Sequence, residues 1–190
     1  MVTSARPGLA HLRAPAGLPL ALALTAASLC GAACATPGTA LRFATLSPEI
    51  EPLRYFVGSW SATLVNPQTK KVSHLAFRVA PTLEGMWLLG QGESPELALK
   101  IHDLWGKDSY AGEIVRVVFD SRGTHATLRS RGWDGNTLRF EGEARGDAEL
   151  IPVRETITRV GPDEFSAVWE AKSGEVWKAY SLEKLVRVVP

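Results

Sequence analysis

Three charged side chains lie in predicted strands among apolar residues, and they are the best candidates for chemistry: Asp103, Arg154 and Glu155. Asp103 alternates with Ile101 and Trp105, so its carboxyl group shares their face. Arg154 and Glu155 are neighbours on another predicted strand, where one of the two must point inward. An inward carboxylate can polarise a ligand or act as a general base. It can equally form an internal salt bridge, or its face can be wrongly assigned, and we favour these last two interpretations.

Other catalytic and metal-binding patterns are missing from the sequence. His74, His102 and His125 lack the spacing of metal ligands, so we interpret them as solvent-facing or hydrogen-bonded side chains. The chain has no Gly-x-Ser-x-Gly motif, no cysteine after residue 35 and no glycine-rich phosphate loop. The sequence therefore predicts no metal site and no catalytic residue.

Short extended segments separated by turn residues must position the charged side chains. A short helix is predicted first, capped by Ser47 and ending near Phe56. About ten strands then follow over residues 57–185 with almost no amphipathic helix between them, a pattern that excludes βαβ units. The sequence predicts an all-β fold, an antiparallel up-and-down barrel of about ten strands whose closure removes exposed sheet edges.

Single positions within this series carry predictions of their own. Pro81 is expected to end the second strand, residues 90–92 to form a bend and residues 92–95 a turn. Trp87 lies in a segment that is apolar on both faces, so it is the tryptophan predicted to line a cavity. Trp133 precedes an Asp-Gly pair and is predicted to cover a hairpin turn.

The first 35 residues have the pattern of a secretory signal peptide. Arg6 and Arg13 precede an apolar run, residues 18–29, which is too short to span a bilayer. Ala33-Cys34-Ala35 supplies the small residues that signal peptidase requires, and no acidic residue occurs before Glu49. We therefore predict cleavage after residue 35 and export to the periplasm or the medium.

Cleavage would remove 35 of the 190 residues and leave 155. These divide into a flexible tether over residues 36–46 and one barrel domain over residues 47–187. Lipid attachment at Cys34 is an alternative that would anchor the domain to the envelope, although Gly31 stands where a lipobox usually has leucine. Because both cysteines lie in the leader, the domain must be held together by its core without disulfides.

Charge and hydropathy argue against two classes of partner. Without Arg6 and Arg13, 19 of the 21 basic residues remain against 20 acidic ones, and the two signs are interspersed. This balance predicts neither nucleic-acid binding nor attraction to an anionic membrane surface. No stretch after the leader has the length of a transmembrane helix, so no membrane insertion is expected after cleavage.

Four motifs occur in order along the predicted barrel: Leu53-x-x-Phe56-Val57-Gly58-x-Trp60, Val118-Phe119-Asp120-Ser121-x-Gly123, Ser130-x-Gly132-Trp133-Asp134-Gly135 and Arg154-Glu155-Thr156-Ile157. Together they resemble a bacterial family of lipocalin-like domains of unknown function, often exported. The first is similar to the opening of calycin barrels such as lipocalins and nitrobindin-like proteins. The resemblance covers residues 53–184. It implies a barrel plugged at one end by Gly58 and Trp60, with Lys184 or Arg187 stacked on the tryptophan.

The resemblance to nitrobindin-like proteins breaks down at the positions that matter for haem. Those proteins carry Gly-x-Trp-x-Gly-x-Gly, whereas Ala62 and Leu64 occupy the second and third glycine positions in this chain. Their proximal histidine comes from late in the chain, and this sequence has no histidine after His125. We therefore expect no haem and no other cofactor.

Three functions from different classes are compatible with such a barrel. The leading hypothesis is non-enzymatic binding of a small, mainly apolar ligand, which requires a cavity of roughly several hundred Å³. The alternative is a structural or protein-interaction module of the envelope. An enzyme that uses Asp103 or Glu155 as a general base is the least favoured, because fold analogy is its only support. The candidate ligand-binding residues are Trp87, Asp103, Arg154 and Glu155.

Overall fold

The structure, a computed structural model, describes residues 45–145 and 149–188. The predicted signal peptide and all but the last two residues of the predicted tether lie outside the described residues. Three short 3-10 segments occur in these ranges, at Glu51–Phe56, Leu83–Gly85 and Pro95–Leu97. The described strands are β1 Gly58–Val65, β2 Val72–Thr82, β3 Trp87–Ser94, β4 Leu99–Asp108, β5 Glu113–Asp120, β6 His125–Ser130, β7 Trp133–Asp134, β8 Thr137–Arg145, β9 Leu150–Gly161, β10 Glu164–Ser173 and β11 Val176–Arg187.

Ten of these strands close into an antiparallel barrel. Each strand from β1 to β6, and each from β8 to β11, pairs with its neighbour in the chain. β6 pairs directly with β8, and β11 returns to β1 with Trp60 opposite Arg187. The two-residue β7 is an extra strand paired with β8. The prediction of an all-β, up-and-down barrel of about ten strands is confirmed.

Alternation along the strands fixes which side chains enter the barrel. On β1, Trp60 and Ala62 are buried inside, whereas Ser59 and Ser61 are on the outer face. A slip of one residue would exchange the two sets, so this pattern specifies the pairing register. The same alternation on other strands assembles the buried core, which includes Leu75, Leu88, Leu128, Leu138, Phe140 and Ile157.

Two predicted breaks in the sheet are wrong. Pro81 lies within β2 and pairs with Leu88 of β3. Pairing with β1 stops at Val79, so Pro81 has a neighbouring strand on one side only, and a proline without an N–H is tolerated at such an edge. Residues 90–92 are likewise part of β3, and the turn comes later, at Pro95–Leu97. The inward glycine of that stretch, Gly90, leaves room for a ring, since a Cβ there would lie 2.6 Å from Phe77.

The start of the domain also differs from the prediction. The helical turn is a 3-10 segment that begins after Ile50, and no side chain caps it. Ser47 instead accepts a backbone hydrogen bond from Ile50 in a preceding turn, at 3.1 Å. Leu46, predicted to be the last residue of the tether, is buried in the core, so packed structure already includes this residue.

Candidate functional site

One end of the barrel is closed by aromatic side chains. Trp60 is 1% exposed, its indole N–H donates to the carbonyl of Phe56 at 2.8 Å, and Phe165 packs edge-on against it at 4.8 Å. Trp133 donates its indole N–H to the carbonyl of Pro52 at 3.0 Å and stacks on Phe56 at 5.7 Å. Trp133 therefore helps to seal this end as well as flanking its hairpin. We call this group the closed end.

A guanidinium group completes the closed end. The Arg187 Cζ lies 4.2 Å from the ring centroid of Trp60. Its Nη1 donates to the carbonyl of Val57 at 2.6 Å, and its Nη2 to the carbonyl of Tyr55 at 2.9 Å. Gly58 is required beside it, because its φ is +133° and a Cβ would lie 2.6 Å from the Arg187 Nη1.

Of the two basic residues that the family resemblance offered, Arg187 makes the contact with Trp60. Lys184 lies on the outer face, where its Nζ is 3.1 Å from the Glu164 carboxylate. Arg187 also donates from Nε to Asp163, at 2.8 Å. A cation on an aromatic face contributes about 1 kcal/mol, or more where water is excluded.

The other half of the barrel is hollow. Its cavity measures about 490 Å³. Most of the wall is aliphatic or aromatic, from Leu64, Leu75, Phe77, Leu97, Leu99, Ile101, Val118, Ala126, Ala144, Ile157, Phe165 and Leu185. The mouth lies beside the turns that follow β1, β3 and β5, and its polar residues are Asn66, Thr69, Lys71, Asp120, Arg122, Thr124 and His125. Two of these turns are tied together by Arg122, which donates to the carbonyl of Leu97 at 2.8 Å.

Three charged side chains form the floor of the cavity, and we call them the floor cluster: Asp103, Arg116 and Glu155. They are 0%, 7% and 3% exposed, respectively. Arg116 donates from Nε to both oxygens of Asp103, at 3.0 and 2.9 Å, and from Nη2 to Oδ2 at 2.6 Å. Its Nη1 donates to Oε2 of Glu155. One guanidinium thus bridges carboxylates from β4 and β9.

Aromatic rings surround the guanidinium of the floor cluster. The Arg116 Cζ lies 4.3 Å from the ring centroid of Trp105, 5.3 Å from Trp169 and 5.7 Å from Phe140. The Trp105 ring also meets Phe56 of the closed end, at 4.6 Å. Its indole N–H lies near Asp103 but outside hydrogen-bond geometry, and among the described residues it has no partner. The floor cluster is therefore held between the closed end and the open cavity.

A β-bulge in β11 brings a tyrosine into the cavity. Trp169 of β10 pairs with Ser181, whereas the next residue, Glu170, pairs with Ala179, so Tyr180 is the extra residue. Tyr180 and Ser181 both line the cavity as a result. Tyr180 is 41% exposed, and its ring centroid lies 6.2 Å from that of Trp169, another residue of the cavity wall.

Glu183 is a second inward acid on β11. It lies between Ser181 and Leu185 on the inner face and lines the cavity. Ser181 donates its hydroxyl to Oε1 of Glu183 at 3.1 Å. Within residues 45–145 and 149–188, no lysine or arginine forms an ion pair with this carboxyl group. Glu183 therefore differs from Asp103 and Glu155, which share Arg116.

Burial raises the pKa of two of the acids in the cavity, Glu183 and Asp103. Removal from water raises the pKa of Glu183 above its ordinary value of 4.5, against a weaker opposing hydrogen bond from Ser181. Burial also raises the pKa of Asp103, with the Arg116 charge opposing the rise. The pKa of Tyr180 is raised by the same desolvation, so its hydroxyl stays protonated at neutral pH. Burial therefore opposes the ionisation of Glu183 and Asp103, and the charge of the Arg116 guanidinium partly offsets this effect at both carboxyl groups.

Sequence reasoning identified two of the three floor-cluster residues. The structure brings Asp103 and Glu155 together through Arg116. Arg154, the predicted companion of Glu155, points outward, where its Nη2 donates to Glu170 at 2.8 Å and its Cζ lies 4.5 Å from the Trp177 ring. Arg154 therefore lies outside the cavity, which corrects its assignment as a ligand-binding residue.

The prediction of Trp87 as a cavity wall is also wrong. Leu88 is the inward residue at the start of β3, so Trp87 faces the outside of the barrel. Its ring lies flat over Gly106 of β4, where a Cβ would come within 2.3 Å of it. Trp105 and Trp169 line the cavity in its place.

Three cavity residues escaped sequence reasoning: Arg116, Tyr180 and Glu183. Arg116 alternates with Ile114 and Val118, so its inward position is visible in the sequence, but valines on the opposite face hide the alternation. Glu183 is two residues from the buried Leu185, so its inward position is also visible in the sequence. The inward position of Tyr180 is not visible there, because the bulge reverses the alternation of the residues before it.

The three histidines of the domain do not converge. His74 Nδ1 lies 3.0 Å from the Glu96 carboxylate, and His125 is at the mouth. In the part of the chain that the structure describes, no cluster of His, Cys, Asp and Glu side chains has the arrangement of a metal site. Over the same residues, no helix has both the length and the apolar character needed to cross a membrane.

Comparisons with known proteins reach the fold only. No family model matches the chain, and no curated protein matches it in sequence. Among solved structures, the crystal structure of Rv2717c from M. tuberculosis is similar, with a TM-score of 0.59 and 14% sequence identity. The match covers 76% of this chain and 100% of that one. It supports the barrel architecture independently of the sequence motifs.

Proposed function

We propose that this barrel is a non-enzymatic binding protein for a small, mainly apolar ligand, which enters at the mouth and ends at the floor cluster. The observation that carries the proposal is the 490 Å³ cavity with an aliphatic wall and charged floor. Pockets for small organic ligands have volumes of about 300–1,000 Å³ and combine apolar walls with a few placed polar groups. The cavity is in this range.

The inner wall keeps side chains that are too small to fill the barrel. Ala126 of β6 and Ala144 of β8 pair directly and both line the cavity. Protein interiors ordinarily have few voids larger than a water molecule, and an unfilled void costs about 24 cal/mol per Å³. Leucine or valine at these two positions would fill space at little cost. Small residues at these positions are the expected choice if the space serves a ligand.

The floor cluster supports the same proposal on energetic grounds. Taking charged groups out of water is costly, and packed apolar residues are often as stable as a buried ion pair or more so. Asp103, Arg116 and Glu155 are therefore poor candidates for residues that serve stability alone. A polar floor under an apolar wall orients a ligand that has one polar end.

A second candidate, acid–base catalysis, has one observation in its favour. Glu183 is an unpaired carboxyl group with a raised pKa and open space beside it, as a general acid or base requires. Asp103 and Glu155, the carboxylates considered from the sequence, are less suited because Arg116 holds both. We prefer the binding role, since the described cavity offers Glu183 no hydrogen-bonded nucleophile beyond the Ser181 hydroxyl.

Two measurements test the binding proposal. The first is native mass spectrometry of the protein purified from its own host, where we expect extra mass that is lost on denaturation. An unchanged ligand mass after prolonged incubation supports binding, whereas conversion of the ligand supports catalysis. The second is titration with the neutral apolar dye N-phenyl-1-naphthylamine, whose fluorescence rises in apolar surroundings.

A matched pair of variants locates the dye. Ala144→Phe fills the cavity, whereas Ala76→Phe places the same ring on the exposed outer face of β2. We expect Ala144→Phe to weaken dye binding by about tenfold or more and Ala76→Phe to leave it unchanged. Equal affinities for both variants would mean that the dye binds elsewhere, and the cavity would lose its support as the ligand site.

We also propose export, on the pattern of the first 35 residues. The intact mass of the protein from its host tests this directly. A mature chain that begins at residue 36 supports plain cleavage, and a diacylglyceryl adduct on Cys34 supports the lipid-anchored alternative. A full-length chain in the cytoplasm would contradict both.

A further inference from the structure

We propose that the ligand carries a protonated amine on its apolar body and that Glu183 is the counter-ion of this amine. The inference rests on the proposed function and specifies which chemical class of apolar molecule the cavity selects. It is carried by the position of an unpaired carboxyl group inside a cavity whose floor charges are already paired with one another.

The hydrogen bonds of the floor cluster leave little capacity for an anionic ligand. The four Arg116 contacts engage all three guanidinium nitrogens, but the two from Nε share one hydrogen, so three of the five N–H donors go to Asp103 and Glu155. At the inner end of the cavity a carboxylate ligand such as a fatty acid would meet Asp103, Glu155 and Glu183 against the single guanidinium of Arg116, whereas Lys71, Asp120 and Arg122 are at the mouth. Like charges at such a site are repelled, so the charge balance favours a cation.

Glu183 has the free capacity that the floor cluster lacks. Its Oε1 accepts one hydrogen bond from Ser181, and no lysine or arginine among the described residues pairs with it. Because the side chain lines the cavity, a ligand group can reach it. A buried carboxyl group needs a cation or further donors to be ionised at low cost, and an ammonium group supplies both.

The rings beside Glu183 suit a cation as well. Tyr180 and Trp169 both line the cavity, with ring centroids 6.2 Å apart and planes tilted by 42°. An ammonium group is attracted to the face of tryptophan or tyrosine, most strongly where water is excluded. The β-bulge that turns Tyr180 inward therefore adds a second element of cation recognition.

The titratable groups that face this region are consistent with an amine. Asp103 on β4, Glu155 on β9 and Tyr180 on β11 face the same space, and Arg116 on β5 is the one cation of the floor cluster. Burial raises the pKa of Glu183, so the carboxyl group holds its proton more tightly than an exposed glutamate. A bound ammonium would favour the ionised form, so binding would release a proton at any pH where Glu183 of the free protein is still protonated.

Three probes of one shape test the proposal: 2-naphthylmethylamine, 2-naphthylmethanol and 2-naphthoate, titrated into the full protein by calorimetry at pH 7. They share an apolar body and differ in whether the head is cationic, neutral or anionic. We expect the amine to bind about tenfold or more tightly than the alcohol, and the naphthoate to bind most weakly. Titration of the amine at pH 5 and at pH 7, in buffers of different ionisation enthalpy, detects proton release wherever Glu183 of the free protein is still protonated.

Two carboxyl-to-amide variants assign the preference to Glu183. Glu183→Gln should bring amine affinity down to that of the alcohol, while leaving alcohol affinity unchanged. Glu164→Gln is the matched control, because Glu164 lies on the neighbouring strand and pairs with Lys184 on the outer face. It should keep the preference of the native protein for the amine. Circular dichroism of each variant verifies folding. The ratio of amine affinity to alcohol affinity in the unmodified protein is a test that does not depend on the folding of any variant.

Each other outcome overturns a definite part of the inference. Equal binding of amine and alcohol, or tightest binding of naphthoate, would exclude a cationic ligand and leave an apolar-ligand barrel intact. An amine preference that survives Glu183→Gln would move the counter-ion to another residue and reject Glu183 in that role. Failure of all three probes and of the neutral dye would remove the proposed function together with the inference.

Discussion

The barrel contains two arginines stacked on tryptophans, one at its closed end and one at the floor of its cavity. Arg187 lies 4.2 Å from Trp60, and Arg116 lies 4.3 Å from Trp105. The two contacts are nearly identical in distance and differ in what surrounds them. At the closed end the guanidinium donates mainly to backbone carbonyls, whereas on the floor it donates only to carboxylates.

This difference distinguishes Arg187, which closes one end of the barrel, from Arg116, whose burial with two carboxylates costs desolvation free energy. Arg187 donates to the carbonyls of Tyr55 and Val57, where the chain enters β1, and to the exposed carboxylate of Asp163. The acceptors of Arg116 are the carboxylates of Asp103 and Glu155, and all three charged side chains are buried. Stability explains the first arrangement. The second needs a further reason, and the adjoining cavity supplies one.

The largest expected effect comes from breaking the floor cluster. Arg116→Met should lower the free energy of unfolding by about 3–5 kcal/mol, because two buried carboxylates lose their partner. Urea denaturation followed by tryptophan fluorescence measures it. The combined variant Arg116→Met, Asp103→Asn, Glu155→Gln should recover most of the loss. If Arg116→Met alone were as stable as the native protein, Asp103 and Glu155 would have to be neutral in the absence of Arg116.

Removal of the closed-end arginine should have a smaller effect of a different kind. Arg187→Met loses the contact with Trp60 and three hydrogen bonds from the guanidinium, one of them to the exposed Asp163, so we expect a loss of about 2–3 kcal/mol in the free energy of unfolding. Affinity for N-phenyl-1-naphthylamine should stay unchanged, because the closed end lies away from the cavity mouth. If Arg187→Met bound the dye more weakly under conditions where the variant is fully folded, the two arginines would not be functionally distinct.

Most of the fold could be predicted because the two-residue period of β-strands dominates the sequence after residue 57. Alternation on β1 placed Trp60 and Ala62 inside, and regular turn residues indicated about ten strands. Errors arose where tertiary context decided. Pro81 looked like a strand break, but β1 stops short of it, so its missing N–H has little consequence.

The candidate site was less predictable because it depends on convergence across strands. Asp103 and Glu155 were found as acids on apolar faces. Their partner Arg116 is 13 residues from the first and 39 from the second, and only the pairing register of the closed barrel brings the three together. Tyr180 could not be found at all, because alternation was read across a bulge that the sequence does not announce.

Stability should also depend on pH, through Glu183. The folded state holds this proton above the ordinary pKa of 4.5, so it binds more protons than the unfolded state between 4.5 and the raised pKa. The free energy of unfolding therefore falls as pH rises through that window. Glu183→Gln removes this contribution, and its advantage over the native protein should be larger at pH 8 than at pH 4. Parallel urea curves at the two pH values measure it, and a constant difference would show that Glu183 titrates normally.

The smallest effect is expected on the outer face, where sequence reasoning had placed a site residue. Arg154 and Glu170 form an ion pair there, in which the Arg154 hydrogen bond lowers the pKa of Glu170. Such outer-face pairs contribute about 0–1 kcal/mol, so Arg154→Gln should change the free energy of unfolding by no more than this. Dye and amine affinities should be unchanged, since Arg154 points away from the cavity. The comparison with Arg116→Met is direct, because both substitutions remove one arginine from carboxylate partners in the same barrel. If Arg154→Gln weakened amine binding as strongly as Glu183→Gln, ligand would be reaching the outer face, and the inner cavity would lose its claim as the binding site.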